Sequence, residues 1–175
     1  MRLHALRRFR PISGASLSLS ALLLAGCMYG FAGGGLPEGI RTVAVLPFEN
    51  LTSDPTLTSE INSAVREAVQ DRLGLRQAGE NQADALVRGI ITRYEPDLPV
   101  SFTGNETTNQ VNVTGRLVQI VVSVEIINRL EDRPLWRREG LVLEGAYETG
   151  READGRRKAL QNLITNIVEG AQSQW

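Results

Sequence analysis

Apolar and polar residues alternate most strictly over residues 115–128. Val118, Ile120, Val122, Val124 and Ile126 fall on one side there, and Gln119, Ser123 and Glu125 on the other. A period of two predicts a strand with one buried face. Residues 129–134 (RLEDRP) form a polar turn, and residues 135–147 return as a strand, so the pair is expected to be an antiparallel hairpin. Residues 40–48 (IRTVAVLPF) and 85–94 (ALVRGIITRY) are rich in β-branched and apolar side chains and predict two further strands. A short strand at 75–78 is an additional candidate. Residues 95–112 are polar, contain Pro96, Pro99 and Gly104, and are expected to form a long loop or a ragged hairpin.

Two segments change to a helical period. Leu57, Ile61, Val65, Val69 and Leu73 recur every four residues with Ala64 and Ala68 beside them. Asp54 supplies an N-cap, Pro55 the first helical position, and Gly74 the stop. From about residue 152 to residue 174, Leu160, Leu163, Ile164, Ile167, Val168, Ala171 and Trp175 trace one apolar face. The first stripe is too short for a coiled coil and suits packing on a sheet. The expected fold class is α+β: two amphipathic helices on one face of a small, mostly antiparallel sheet of about four strands, in the order β-α-β-β-β-α.

The N-terminus breaks this pattern. Residues 1–26 carry Arg2, Arg7, Arg8 and Arg10, then the apolar run LSLSALLL (17–24), then Ala25 and Gly26. Positive, apolar and small regions in that order predict a secretory signal. The apolar run is far below the ~18 residues a spanning helix needs. Leu24-Ala25-Gly26-Cys27 matches the bacterial lipobox, in which the Cys is acylated and becomes the first mature residue. Residues after Arg7-Arg8 fit a twin-arginine signal poorly, which favours the general secretory route. No Asp follows Cys27, so an outer-membrane destination is expected. Residues 27–39 then form the acylated Cys and a glycine-rich tether, and residues 40–175 a single α+β domain. Gly33-Gly34-Gly35 is not a phosphate loop, because no strand precedes it and no Lys-Ser/Thr follows.

Composition narrows the chemistry. The chain has 175 residues with 19 basic and 20 acidic side chains. Four arginines and no acid lie in the signal segment, so the remainder carries a formal net charge of about −5, a poor match to nucleic acid. The only His is His4 and the only Cys is Cys27, which excludes His-ligated metals, Ser-His-Asp triads, Cys-His nucleophiles and disulfide frameworks. No pair of carboxylates stands out as an acid–base couple, and no cofactor motif is present. The local charge feature is basic: Arg129, Arg133, Arg137 and Arg138 around the hairpin, and Arg151, Arg156, Arg157 and Lys158 around the start of the last helix. Arg holds phosphate bidentately, as a phosphorylated glycolipid would require. Glu131, Asp132, Glu139, Glu152 and Asp154 interleave with these cations, and surface pairing explains any one of them more simply.

Cys27-Met28-Tyr29-Gly30-Phe31, Gly35-Leu36-Pro37, Ile40-Arg41-Thr42-Val43-Ala44-Val45 and Phe48-Glu49-Asn50 resemble the opening of the LptE family, the lipopolysaccharide-assembly lipoproteins of the outer membrane. The resemblance continues through the first helix, Ala83-Asp84-Ala85-Leu86-Val87-Arg88-Gly89, the long central strand and the C-terminal helix ending in Trp175. It covers essentially all of the mature chain. It implies two helices on a small sheet and no enzymatic activity. It also implies a plug inside the β-barrel LptD, help in assembling that barrel, and binding of lipopolysaccharide on its way to the outer leaflet. It implies lipopolysaccharide contacts by basic residues on loops near the strand ends. No motif maps them one to one; Arg116, Arg137, Arg138 and Arg151 are the candidates. Residues 43–52 (VAVLPFENLT) are also similar to the first strand of CsgG-type secretion lipoproteins and LpoB-type activators of penicillin-binding proteins. The short tether and the terminal Trp175 favour the first resemblance.

The lipobox generates a direct expectation. Cys27→Ala should leave the protein unacylated and released from membranes. Retention of the variant in the membrane pellet would refute the anchor.

Overall fold

The structure, a computed structural model, describes residues 36–37, 39–105 and 110–173. The signal segment, Cys27, most of the tether and Trp175 lie outside the described residues. The described elements are β1 (Thr42–Val45), β2 (Glu49–Asn50), α1 (Thr56–Glu67), β3 (Arg76–Gln77), β4 (Ala85–Asn105), β5 (Gln110–Asn128), β6 (Arg133–Glu148) and α2 (Glu152–Gln172). A wider π-type turn, Ala68–Arg72, extends α1.

The sheet has the order β3-β1-β4-β5-β6, with β2 also paired to β4. β1 runs parallel to both β3 and β4, and β2 parallel to β4. β4, β5 and β6 are antiparallel. This corrects the expected sheet of about four mostly antiparallel strands: it has six strands and is mixed. The run 40–48 divides because Pro47 has no N–H to offer a ladder. Leu46 N–H still reaches the Val87 carbonyl (2.9 Å), while Phe48 N–H turns to Asn62 Oδ1 (3.2 Å). Pairing resumes as β2 opposite Ile90 and Ile91. Two-residue strands such as β2 and β3 are too short to leave a period in the sequence.

Residues 95–112 are a second correction. β4 and β5 pair through most of this region, down to Asn105 opposite Gln110. Backbone bonds make the ladder whatever the side chains, so polar composition does not prevent it. Register shifts between Glu95 and Leu98 and between Pro99 and Ser101 accommodate the two prolines.

One face of the sheet carries the core. Val118, Ile120, Val122, Val124 and Ile126 of β5 are buried, as are Leu57, Ile61 and Val65 of α1 and Val69 of the turn that extends it. Leu163, Ile164, Ile167, Val168 and Ala171 of α2 join the same cluster, and Leu160 packs partly buried against it. Burying each such aliphatic side chain contributes about 1.5–3 kcal/mol, so these stripes outweigh any single polar contact. α1 begins one residue later than expected, at Thr56. Asp54 still caps it: its Oδ1 accepts the Thr56 N–H (2.9 Å) and hydroxyl (2.6 Å). α2 presses on β6 at two glycines; a Cβ on Gly145 would lie 1.8 Å from the Gly155 carbonyl oxygen. Beside that contact α2 seals the outer edge of β6. Lys158 Nζ donates to the Ala146 carbonyl and Asn162 Nδ2 to the Glu144 carbonyl, both at 2.8 Å.

Arg156 ties the helices to the sheet. Its guanidinium donates to Glu152 (2.9 Å), Thr56 (3.3 Å), Glu60 (3.4 Å) and Asp54 (3.5 Å), and lies 5.4 Å from the centre of the Tyr94 ring. Tyr94 hydroxyl donates to the same Glu152 oxygen (2.9 Å). Burial and this hydrogen bond push the Tyr94 phenol well above its ordinary value.

Asp84 fastens the start of β4 to β1. Its Oδ2 accepts from Arg41 N–H (3.0 Å), Thr42 N–H (2.9 Å) and Thr42 hydroxyl (2.8 Å); Thr42 Oγ1 accepts the Asp84 N–H (3.0 Å). The hydrogen bonds from Arg41 and Thr42 hold this carboxyl below the usual carboxylate range. A depressed folded-state pKa contributes stability above the unfolded value, and that stability is lost as pH falls through the folded one. The denaturant midpoint should therefore fall as pH is lowered through and below the ordinary carboxylate range. Asp84→Asn should start lower and change less over that interval; an unchanged acid profile would remove Asp84 from this role.

Candidate functional site

The face of the sheet turned away from the helices carries a cleft of about 570 Å³. Its wall is Leu46, Pro47 and Glu49, the segment that Pro47 breaks out of the ladder. Its floor is Gly89 and Ile90 on β4 with Ser123 and Val124 on β5. Phe48 passes beneath to the core side, where its ring fills the space a side chain at 89 would take. A Cβ on Gly89 would lie 2.2 Å from that ring and 2.5 Å from the Ser123 carbonyl oxygen.

The far wall is made by a bulge. Val124 pairs with Arg138 and Val122 with Leu141, so Glu139 and Gly140 together oppose Ser123. Gly140 takes a left-handed φ of 62° there, and its N–H donates to Ser123 Oγ (3.1 Å). Arg138 sits opposite the buried Val124, yet the bulge leaves it exposed.

Six charges surround the cleft: Arg88, Arg137 and Arg138 against Glu49, Glu125 and Glu139. Arg88 is bonded to Glu125 (2.9 Å), and Arg137 to Glu139. These pairs lie at the surface and contribute at most ~1 kcal/mol each. Among the described residues Arg138 and Glu49 have no ion-pair partner. The cleft thus offers one uncommitted guanidinium, which suits a phosphate or carboxylate, and one uncommitted carboxylate, which accepts hydroxyls. Ile90, 37% exposed, adds an apolar patch on its floor.

The four arginines singled out in the sequence do not share a site. Arg137 and Arg138 come together in this cleft. Arg116 lies on β5 opposite Tyr147 and is bonded to Asp97, which also accepts the Tyr147 hydroxyl (3.1 Å). The hydrogen bond from Arg116 holds the Asp97 carboxyl below its ordinary range. Tyr147 donates further to the Pro96 carbonyl (2.7 Å), so this group braces the lower part of the β4–β5 extension. Arg151 stands between β6 and α2 and is bonded to Asp154 (2.6 Å), beside Arg157 and Lys158 in a separate cleft of about 470 Å³. Arg88 and Glu49 escaped the sequence reading. Only the β2–β4, β4–β5 and β5–β6 registers together bring them beside Arg138. Among the described residues no group of three or more His, Cys, Asp or Glu could hold a metal ion, and no helix is long and apolar enough to cross a membrane.

The profile of the LptE family, described as lipopolysaccharide-assembly, matches residues 40–169. The chain therefore belongs to the LptE family, which is a family of non-enzymatic envelope lipoproteins. Direct comparison with curated proteins finds no match. Protein XCC0632 from Xanthomonas campestris is similar in structure, with a TM-score of 0.50 and 12% identity over 77% of this chain and 85% of that one. PelC from Paraburkholderia phytofirmans gives 0.48 and 17% over 81% and 94%. A minor lipoprotein from Acinetobacter baumannii gives 0.47 and 14% over 77% and 94%. At such identities the likeness is one of fold.

Gly89→Ala should lower stability by about 1–3 kcal/mol through overpacking against Phe48, read as a fall in denaturant midpoint at unchanged slope. A variant as stable as the parent would mean that Phe48 does not fill the space beneath the cleft.

Proposed function

We propose that this protein is an outer-membrane lipoprotein, anchored through Cys27, that sits as a plug in an LptD-type β-barrel and helps assemble it. In that position it takes part in moving lipopolysaccharide to the outer leaflet and catalyses no reaction. The family match over residues 40–169 carries this reading. The cleft supports it: Arg138, without an ion-pair partner among the described residues, is flanked by Arg88 and Arg137 over an apolar floor, a combination suited to a phosphorylated glycolipid. Arg116 and Arg151 remain candidate lipid contacts. Each would have to leave an ion pair to bind phosphate, so Arg138 is expected to contribute more.

Two measurements test the reading. Tagged full-length protein purified from detergent-solubilised outer membranes should bring a large β-barrel with it in about equal amount. Recovery of a penicillin-binding protein, or of a homo-oligomer without a barrel, would point instead to the LpoB or CsgG type. Separately, Arg138→Glu should weaken lipopolysaccharide binding roughly tenfold or more, the loss of one charge-assisted contact. Arg72→Glu, a charge reversal outside the cleft, should not. Equal affinities for both variants would make the cleft an ordinary surface.

A further inference from the structure

The cleft on the outer face of the sheet is balanced in charge. Arg88, Arg137 and Arg138 stand against Glu49, Glu125 and Glu139. Two pairs close on themselves, Arg88 with Glu125 and Arg137 with Glu139. Among the described residues one charge of each sign is left over, and the two stand on opposite walls. Glu49 lies on β2 opposite Ile90, and Arg138 lies on β6 opposite Val124. β4 and β5 run between them, so three strand spacings of ~4.8 Å hold their backbones about 14 Å apart. The sheet itself keeps the two charges from neutralising each other.

The clefts beside the helices differ, because every cation that lines them has a partner. Arg151 and Arg157 both bind Asp154, and Lys158 is taken by the Ala146 carbonyl. Arg156 is held by Glu152, Glu60 and Asp54. In the outer cleft a purely anionic group gains Arg138 but also meets three carboxylates, one of them without a counter-ion. Like charges across a site reject a ligand as firmly as opposite charges attract one. A carboxylate only accepts hydrogen bonds, so Glu49 calls for a donor. An ammonium supplies both the donors and the compensating charge.

We propose that the cleft selects a zwitterionic headgroup: a phosphate that carries a primary ammonium a few atoms away, with the phosphate on Arg138 and the ammonium on Glu49. Arg138 sets affinity, and Glu49 sets which phosphate is taken. The inference rests on the reading of this cleft as a lipid-phosphate site and adds the class of headgroup. The same chemistry is carried by a phosphoethanolamine substituent on a glycolipid phosphate and by the headgroup of a phospholipid.

The test titrates full-length protein with two pairs of lipids. One pair is lipopolysaccharide with and without phosphoethanolamine on its phosphates. The other is short-chain phosphatidylethanolamine and phosphatidylglycerol. Glu49→Gln and Arg138→Gln are made in parallel; both side chains are exposed, so folding should survive. Within a pair the zwitterionic member should bind about fivefold or more tightly. Glu49→Gln should bring the two members level, and Arg138→Gln should weaken both. A preference within the lipopolysaccharide pair assigns the headgroup to the glycolipid; one within the phospholipid pair alone assigns it to a phospholipid. Equal affinities within both pairs, or a preference that survives Glu49→Gln, overturn the inference. If Arg138→Gln then still weakens lipopolysaccharide binding, the glycolipid reading of the cleft stands without it. If Arg138→Gln changes nothing, that reading falls too.

Discussion

The antiparallel ladder between β4 and β5 holds this protein together. Its pairs run from Ala85 opposite Asn128 to Asn105 opposite Gln110, and every other strand except β3 attaches directly to it. β1 and β2 lie in tandem along the free side of β4, and β6 lies along β5. Alternation along β5 then decides what each face does. Val118, Ile120, Val122, Val124 and Ile126 turn to the helices, and Val121, Ser123 and Glu125 turn away from them. A shift of one residue in that register would exchange the faces and expose the core.

The departures from a regular ladder are where the chemistry collects. Pro47 ends β1, drops Phe48 into the core and lifts Leu46 and Glu49 into a wall. The Glu139–Gly140 bulge turns Arg138 out of a position that would otherwise face the helices. Between the two lies the cleft. Opposite charges then divide. Arg88 and Arg137 are held by Glu125 and Glu139, which leaves Arg138 available to an anion.

The helices hold this sheet in shape through a few polar contacts set around a large apolar area. Asp54 caps α1 and shares Arg156 with Glu60 and Glu152, so one guanidinium spans the start of both helices and the Tyr94 ring of β4. Asp84 does the equivalent for the first parallel pair. None of these outweighs the aliphatic stripes energetically. They fix direction, which apolar burial alone does not.

The periods of two and four in this sequence determined its longest elements. β5, the helical stripe from Leu57 to Leu73 and the apolar face from Leu160 to Ala171 are all legible because a buried face repeats with the geometry of its backbone. The lone cysteine and histidine likewise exclude whole classes of chemistry without any coordinates. The tertiary structure decided what periodicity cannot record. β2 and β3 exist because a neighbour supplies hydrogen bonds to two residues at a time. Residues 95–105 are strand because β5 pairs with them, although their composition reads as loop. The site was legible only as a set of arginines. Spacing along the chain could not separate Arg137 and Arg138 from Arg116 and Arg151, nor join them to Arg88 and Glu49. That needed the registers of four strands and one bulge, and register is a property of the assembled sheet.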